Sequence, residues 1–397
     1  MKNKFKFPLA TSTWDTSEIK SIKNIIKSNK FTMGEKVSNF EKKFAQYLKV
    51  KHCIMVNSGS SANLLMISSL FYTKQNKIKL NKGDEVIVPA VSWSTTYFPL
   101  MQNNLKVKFC DIDQSTLNID LKKLKKLISP KTKLILLVNL GGNPNKYDEI
   151  KRIIDNKKIV VLEDNCESLG AEYNGKKTGT HGLMGSFSFY FSHHISTMEG
   201  GMIATNNNEL KDILLSIRSH GWTRNLEVKN TLVKLNKNSF HNAFNFILPG
   251  YNVRPLEFSG AVGLDQLKKL DNFINIRRDN AVKFCKIISG CKIFQTQQEV
   301  GMSSWFWFTL ILKKNIKIKR EKVLNLFNKY GFETRPVAAG NFTKNIVIKY
   351  FDYKIPHKLT NSNYIHNNAF VIGNNPKNMN KEFSTLVKLV KFLNHSN

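Results

Sequence analysis

The chain reads as an α/β protein, with a large domain built on a mostly parallel central sheet (1–255) and a smaller C-terminal α+β domain (256–397). Three observations predict this. The 397 residues can bury a large core. Short β-type runs alternate with helical patterns through the first two-thirds. After Pro255 that alternation gives way to one long amphipathic stretch and an aromatic-rich β-run.

In chain order the β-type runs are HCIMVN (52–57), EVIVPA (85–90), VKFCDI (107–112), LILLVN (134–139) and IVVLED (159–164), most of them separated by helix-like segments such as SANLLMISSL and YDEIKRIIDNK. A parallel sheet of this kind gathers its functional loops at the carboxyl ends of the strands. The C-terminal part begins with the amphipathic pattern at about 262–289. It continues through WFWFTLILKK (305–314) and a helical pattern at 319–330, and ends with a helix near 380–393.

Composition narrows the function classes. MKNKFKFPLATST carries charges but no apolar stretch, so a signal peptide is not expected. Apolar runs such as LILLV are too short to span a bilayer, and a cytoplasmic protein with no membrane partner is expected. The formal charge of +32 invites a nucleic-acid reading. Only eight of the 61 basic residues are arginine, however, and the lysines lie along helix faces, as in LKKLKKLI, without aromatic interleaving. No nucleic-acid partner is therefore expected. The five cysteines are scattered without a CxxC pair, which argues against a disulfide framework, a zinc site or an iron–sulfur cluster.

Four strand ends carry candidate chemistry. Asn57-Ser58-Gly59-Ser60-Ser61-Ala62 opens a helix with small residues, as an anion site at a positive helix end requires; a simple Ser N-cap would look the same. Trp93, after the 85–90 run, is placed either to stack on a flat ring or to fill the core. Asp164 and Glu167 follow a β-branched run, where a buried carboxylate needs a charged partner. MGSFSFYFSHHISTMEGGMIAT (184–205) supplies Ser188, His193 and His194. No lysine occurs from 178 to 210, although lysine makes up about an eighth of the chain; a second such gap, 238–267, makes this supporting rather than decisive. Arginine is scarce, yet it recurs in the loops holding His220, Arg224, Arg254 and Arg335, where it suits either bidentate anion recognition or ordinary ion pairs.

Together VPAVSWSTTY, LEDNCES, SHHISTMEGG, HGWTRNL and LPGYNVRP, with PLATSTWD and FTMGE near the start and ETRPVAAGNF near the end, resemble the DegT/DnrJ/EryC1/StrS sugar aminotransferases. These are fold-type I enzymes that use pyridoxal 5′-phosphate (PLP). Laid on the family's Ser-Lys-…-Glu-Gly-Gly pattern, Ser192 takes the Ser/Thr slot and His193 the lysine slot. An imidazole shuttles protons but cannot form the lysine imine, so the resemblance implies PLP and its amine form PMP held without a covalent tether.

By the same resemblance, Gly59, Ser60 and Ser188 bind the phosphate, Trp93 lies over the ring and Asp164 meets the pyridine nitrogen. Glu167 stands where many relatives have Gln. Asn252 reaches the phosphate of a neighbouring subunit, making a homodimer with shared active sites. The implied reaction is C3 dehydration of a nucleotide-linked 4-keto-6-deoxy sugar. L-Glutamate generates PMP and leaves as 2-oxoglutarate, His193 is the proton carrier, and ammonia is released. The sequence leaves the nucleotide open among GDP, CDP and dTDP, with GDP-4-keto-6-deoxy-D-mannose suggested by likeness. The basic surface would attract such an anion. A related group of dehydratases shares the His-His loop but uses a cysteine-ligated iron–sulfur cluster, which is not expected here. Two rivals stay open: an ordinary aminotransferase using Lys176 or Lys177, and a non-catalytic PLP-fold regulator.

Overall fold

The computed structural model describes residues 5–235 and 239–395. The strands, in chain order, are β1 (His52–Val56), β2 (Glu85–Pro89), β3 (Lys106–Cys110), β4 (Thr132–Val138), β5 (Val160–Asp164), the hairpin β6 (Glu172–Tyr173) and β7 (Lys176–Lys177), β8 (Met184–Ser188), β9 (Gly201–Thr205), β10 (Phe294–Gln295), β11 (Trp307–Leu312), β12 (Tyr353–Lys354) and β13 (Ala369–Gly373). Eight of them form one sheet in the order β1-β9-β8-β5-β4-β2-β3-β12. β9 runs antiparallel to both its neighbours, and the remaining pairs are parallel. A sheet covered on both faces needs apolar strands without alternation, and β2 and β8 are accordingly buried at every position.

The register sets the site. Ser188 pairs with Gly201, which pairs with Val56, while Asp164 pairs with Ser186. The carboxyl ends of β1, β5 and β8 therefore finish side by side.

The smaller sheet, β10-β11-β13, is antiparallel. Its core centres on Phe284, Phe308, Phe327 and Phe370, with the Phe284 and Phe308 rings stacked at 4.2 Å. Burying each such side chain contributes roughly 1.5–3 kcal/mol. Helix Glu257–Ser289 serves both cores: Leu270 and Ile274 pack with Val37, Phe40 and Phe44, whereas Ala281, Phe284 and Ile288 pack with Phe308 and Leu310. The helix starts five residues before the sequence pattern suggests, because its buried first turns use Ser259, Gly260, Ala261 and Gly263, which carry no large apolar group to mark the face. β12 returns from the C-terminal region to pair with β3 at the edge of the large sheet. Among the described residues no helix is long and apolar enough to cross a membrane.

Candidate active site

Helix Gly59–Ser69 begins directly after β1. Ser58 is its N-cap, with a side chain that accepts from the Ser61 N–H at 3.1 Å. The capping reading is therefore correct, and the anion reading survives beside it, since a helix leaves its first N–H groups without internal partners. The backbone at Gly59 runs so close to the end of β8 that a Cβ there would meet the Ser188 Cβ at 2.6 Å and the Cys166 Sγ at 2.9 Å. Only glycine fits, and the helix end and the Ser188 hydroxyl line one cradle suited to a phosphate.

Asp164, at the end of β5, is buried, and no ion pair reaches it among the described residues. Its Oδ2 accepts from Asn63 Nδ2 at 2.8 Å and Thr96 Oγ1 at 2.7 Å, and Oδ1 accepts from the Cys166 N–H at 3.2 Å. Neutral donors hold the carboxylate in place but leave its charge uncompensated. A protonated pyridine nitrogen would supply the missing charge, so the donor set fits PLP. Asn63 is held in turn by Ser186 Oγ at 2.6 Å, and Thr96 by Ser92 Oγ at 2.7 Å. Trp93 follows β2 and is 57% exposed, which removes the core alternative and leaves its ring face available for stacking.

Glu167 Oε2 accepts from the Gly141 N–H at 2.8 Å. Burial, with the Asp164 charge adding to it, pushes the Glu167 carboxyl up to about 8. A neutral acid here accepts on one oxygen and donates from the other, the same pattern that a Gln side chain offers.

His193 sits in the turn that leaves β8, half-buried, with Nδ1 2.7 Å from the Cys166 carbonyl. A carbonyl can only accept, so Nδ1 carries the hydrogen and Nε2 holds the free lone pair. Among the described residues Nε2 has no hydrogen-bond partner. Loss of solvent lowers the His193 pKa to about 4; the Cys166 carbonyl and Asp164 pull it back up, and Arg277 pushes it down. At neutral pH the ring is an uncharged base. His194 is wholly buried, with Nε2 3.3 Å from the Ser304 carbonyl. Burial, reinforced by Arg277, holds its pKa well below the usual value.

The remaining candidates form a separate group. Arg224 and Arg254 lie over the Trp222 ring at 5.4 and 5.7 Å, and His220 meets the same ring edge-on at 5.2 Å. Asn252 is exposed and accepts from Arg254 Nε at 3.1 Å. The Val253 carbonyl accepts from the Asn57 N–H, which ties this loop to the phosphate turn. Arg335 stands apart, paired with Glu333 at 3.0 Å, although the neighbouring Ala339 N–H donates to the Ser92 carbonyl beside Trp93.

A match to the DegT/DnrJ/EryC1/StrS aminotransferase family spans residues 13–391. The chain belongs to this family. A curated relative, GDP-4-keto-6-deoxy-D-mannose 3-dehydratase of Yersinia pseudotuberculosis, is 54% identical over 97% of this chain and 98% of its own. The Escherichia coli GDP-4-keto-6-deoxy-D-mannose-3-dehydratase solved with bound hydrated PLP is 50% identical, with a TM-score of 0.96 over 97% of this chain and 99% of that one. A GDP-4-keto-6-deoxymannose-3-dehydratase solved with a trapped PLP–glutamate geminal diamine superposes with a TM-score of 0.95, at 50% identity over 97% of this chain and 100% of that one. These relatives share the fold-type I PLP architecture, which this chain adopts.

In this family member the rival lysines lie elsewhere. Lys176 is exposed in the β6–β7 hairpin, and Lys177 pairs with Glu172 at 3.1 Å while lying over the Tyr47 ring at 4.3 Å. Sequence reasoning missed Asn63, Thr96, Ser186 and Phe306. The first three are small polar residues at buried helix or strand positions, a signal that exists but is weak. Phe306 lies more than a hundred residues from His193, and nothing in the sequence links the two.

Proposed function

We propose that the protein is a PLP-dependent 3-dehydratase acting on GDP-4-keto-6-deoxy-D-mannose, with L-glutamate as amino donor and ammonia and 2-oxoglutarate as coproducts. The observation that carries this reading is a histidine in the lysine slot, neutral at working pH, with one nitrogen fixed by a carbonyl and the other free. When bound, PLP supplies an electron sink for charge developing at the reacting carbon.

The chain's own residues do the rest. Asp164 would keep the pyridine nitrogen protonated, since among the described residues no cation pairs with its carboxylate. Gly59, Ser60 and Ser188 receive the phosphate, Trp93 covers the ring, and protonated Glu167 offers it a donor. With no imine to a lysine, this noncovalent cradle carries all the affinity. In one half of the cycle His193 Nε2 would accept a proton from the glutamate Cα and hand it on to the bound cofactor, which leaves the ring neutral again. In the other half it takes a proton and then holds the acid form that the departing C3 hydroxyl requires. A ring with its pKa below neutrality gives that proton up readily.

The His220–Arg224 loop and Arg254 provide cations for the diphosphate of the nucleotide sugar. Asn252 points away from its own core, which suits a homodimer in which it serves the partner's phosphate site. Exposed Phe240, Phe244 and Phe246 on the same segment supply apolar surface for such a contact.

The decisive test is to incubate the protein with PLP, L-glutamate and GDP-4-keto-6-deoxymannose, identifying the sugar by mass spectrometry and assaying ammonia. A 3-deoxy ketosugar with stoichiometric ammonia is expected. An amino sugar without ammonia would mean an aminotransferase.

A further inference from the structure

The C-terminal region sends an aromatic ring to the catalytic turn. The Phe306 ring stacks on His193 with centroids 5.0 Å apart and planes 27° apart. The same ring meets His194 at 5.3 Å and 34°. We propose that Phe306 is a positioning residue for His193, holding the imidazole in one plane and closing that face to water so that Nε2 is its one working nitrogen.

Three observations support this beyond the stack itself. First, the backbone of Phe306 is fixed at both ends: its N–H donates to the Gly141 carbonyl at 3.1 Å, and its carbonyl accepts from Arg277 Nη1 at 3.1 Å. Second, the fit against the β4 loop is close. Gly142 has φ +94°, and a Cβ there would meet the Phe306 nitrogen at 2.8 Å and the Trp305 nitrogen at 2.6 Å. The Gly141 N–H in the same loop holds Glu167, so one glycine pair locates both the carboxyl and the aromatic wall. Third, the hydrogen bond from Nδ1 to the Cys166 carbonyl fixes one edge of the imidazole but does not stop it rotating about that edge. A packed ring face supplies the missing restraint, as a preorganised catalytic group requires.

The charged and titratable neighbours of His193 come from three elements: Asp164 at the end of β5, Arg277 on helix Glu257–Ser289, and the turn itself, with His194 beside it and the Tyr190 ring edge-on at 6.4 Å. Replacing Phe306 leaves all three in place. Any change in the titration of His193 would then report the lost wall and the water admitted in its place.

The inference rests on the reading of His193 as proton carrier, and the test separates the two. In wild-type protein, turnover of glutamate to 2-oxoglutarate with sugar dehydration must first be seen; its absence would sink the functional reading itself. Phe306→Leu and Phe306→Tyr are then compared by two measurements. One is the acid limb of kcat/KM for glutamate. The other is the NMR titration of ring-labelled histidine in PLP-free and PLP-loaded protein, with His193→Asn identifying the resonance.

In Phe306→Leu the His193 titration and the acid limb should both move up by about one pH unit, and kcat should fall about tenfold. Phe306→Tyr, which keeps the ring, should restore both toward wild type. If Phe306→Leu does not yield folded protein, Phe306→Met carries the same comparison. A lowered melting temperature with both titrations unmoved would overturn the proposal and leave Phe306 a packing residue.

Discussion

Two regions of the candidate site are built in opposite ways. The inner wall, at the ends of β1, β5 and β8, is finished by the chain itself: Asp164, Asn63, Thr96, Ser186 and Glu167 are each held by named donors or acceptors. In the outer loops that hold Arg224 and Arg254 the backbone is hydrogen-bonded, as from the Ile247 N–H to the Gly221 carbonyl, but the side-chain charges are not matched among the described residues. Two guanidinium groups rest on Trp222 with no carboxylate partner among the described residues, and Phe244 and Phe246 are 64% and 59% exposed. A preformed wall is what cofactor chemistry needs, whereas an open rim is what a nucleotide sugar or a second subunit would complete.

If the inner wall carries the chemistry, the largest effect comes from His193. In His193→Lys, dehydration should fall by about 10²–10⁴-fold. Borohydride treatment with PLP should then label the substituted position, whereas wild-type protein should show no labelled lysine by peptide mapping. Undiminished 3-deoxysugar output from this variant would remove His193 from the mechanism. Next comes Asp164→Ala, which takes away the carboxylate proposed to meet the pyridine nitrogen. PLP affinity, followed by absorbance titration, should drop about 10- to 100-fold, the range for a charge-assisted hydrogen bond of ~1.5–3 kcal/mol. An unchanged affinity would show that the phosphate cradle alone holds the cofactor.

The same contrast explains what the sequence made legible. Alternating β-runs located β1 to β5 to within two residues, since their burial leaves a nearly continuous apolar signature, whereas the two-residue edge strand β12 left none. The motif residues were visible for the same reason, as each breaks that signature at a strand end. Invisible were contacts made across long stretches of chain. Asn63 reaches Asp164 over 101 positions, and Phe306 reaches His193 from the other domain. No local period encodes a contact of that kind. The ambiguity at Trp93 was also physical: an aromatic after a strand serves core or ligand equally well, and only its exposure decides.

The outer rim is tested by charging it. Phe246→Asp replaces an exposed ring, stacked on Trp222 at 6.4 Å, with a carboxylate. If this surface is covered by a second copy, sedimentation should show dissociation. Activity should fall about tenfold at low protein concentration and recover as concentration rises. A monomeric variant with full activity at every concentration would separate the rim from catalysis.

The smallest effect tests the inner wall at its most unusual point. Because the Glu167 carboxyl titrates near 8, it is protonated at neutral pH, and Glu167→Gln should keep kcat within about twofold at pH 7. Its signature is in the pH dependence. A carboxyl raised from its ordinary 4.5 to about 8 on folding favours the folded state while it is protonated in both states, and that contribution is lost as pH rises from about 4.5 to about 8. Urea unfolding of PLP-free protein should therefore show wild type losing stability relative to Glu167→Gln across that window. His193, lowered to about 4, acts in the opposite sense: its contribution is present above about 6.5 and is lost as pH falls toward 4. The two slopes overlap only between about 4.5 and 6.5, so the difference between wild type and Glu167→Gln above pH 6.5 isolates Glu167. A difference of zero there would mean that the carboxyl is ionised, and that its likeness to a glutamine is one of shape alone.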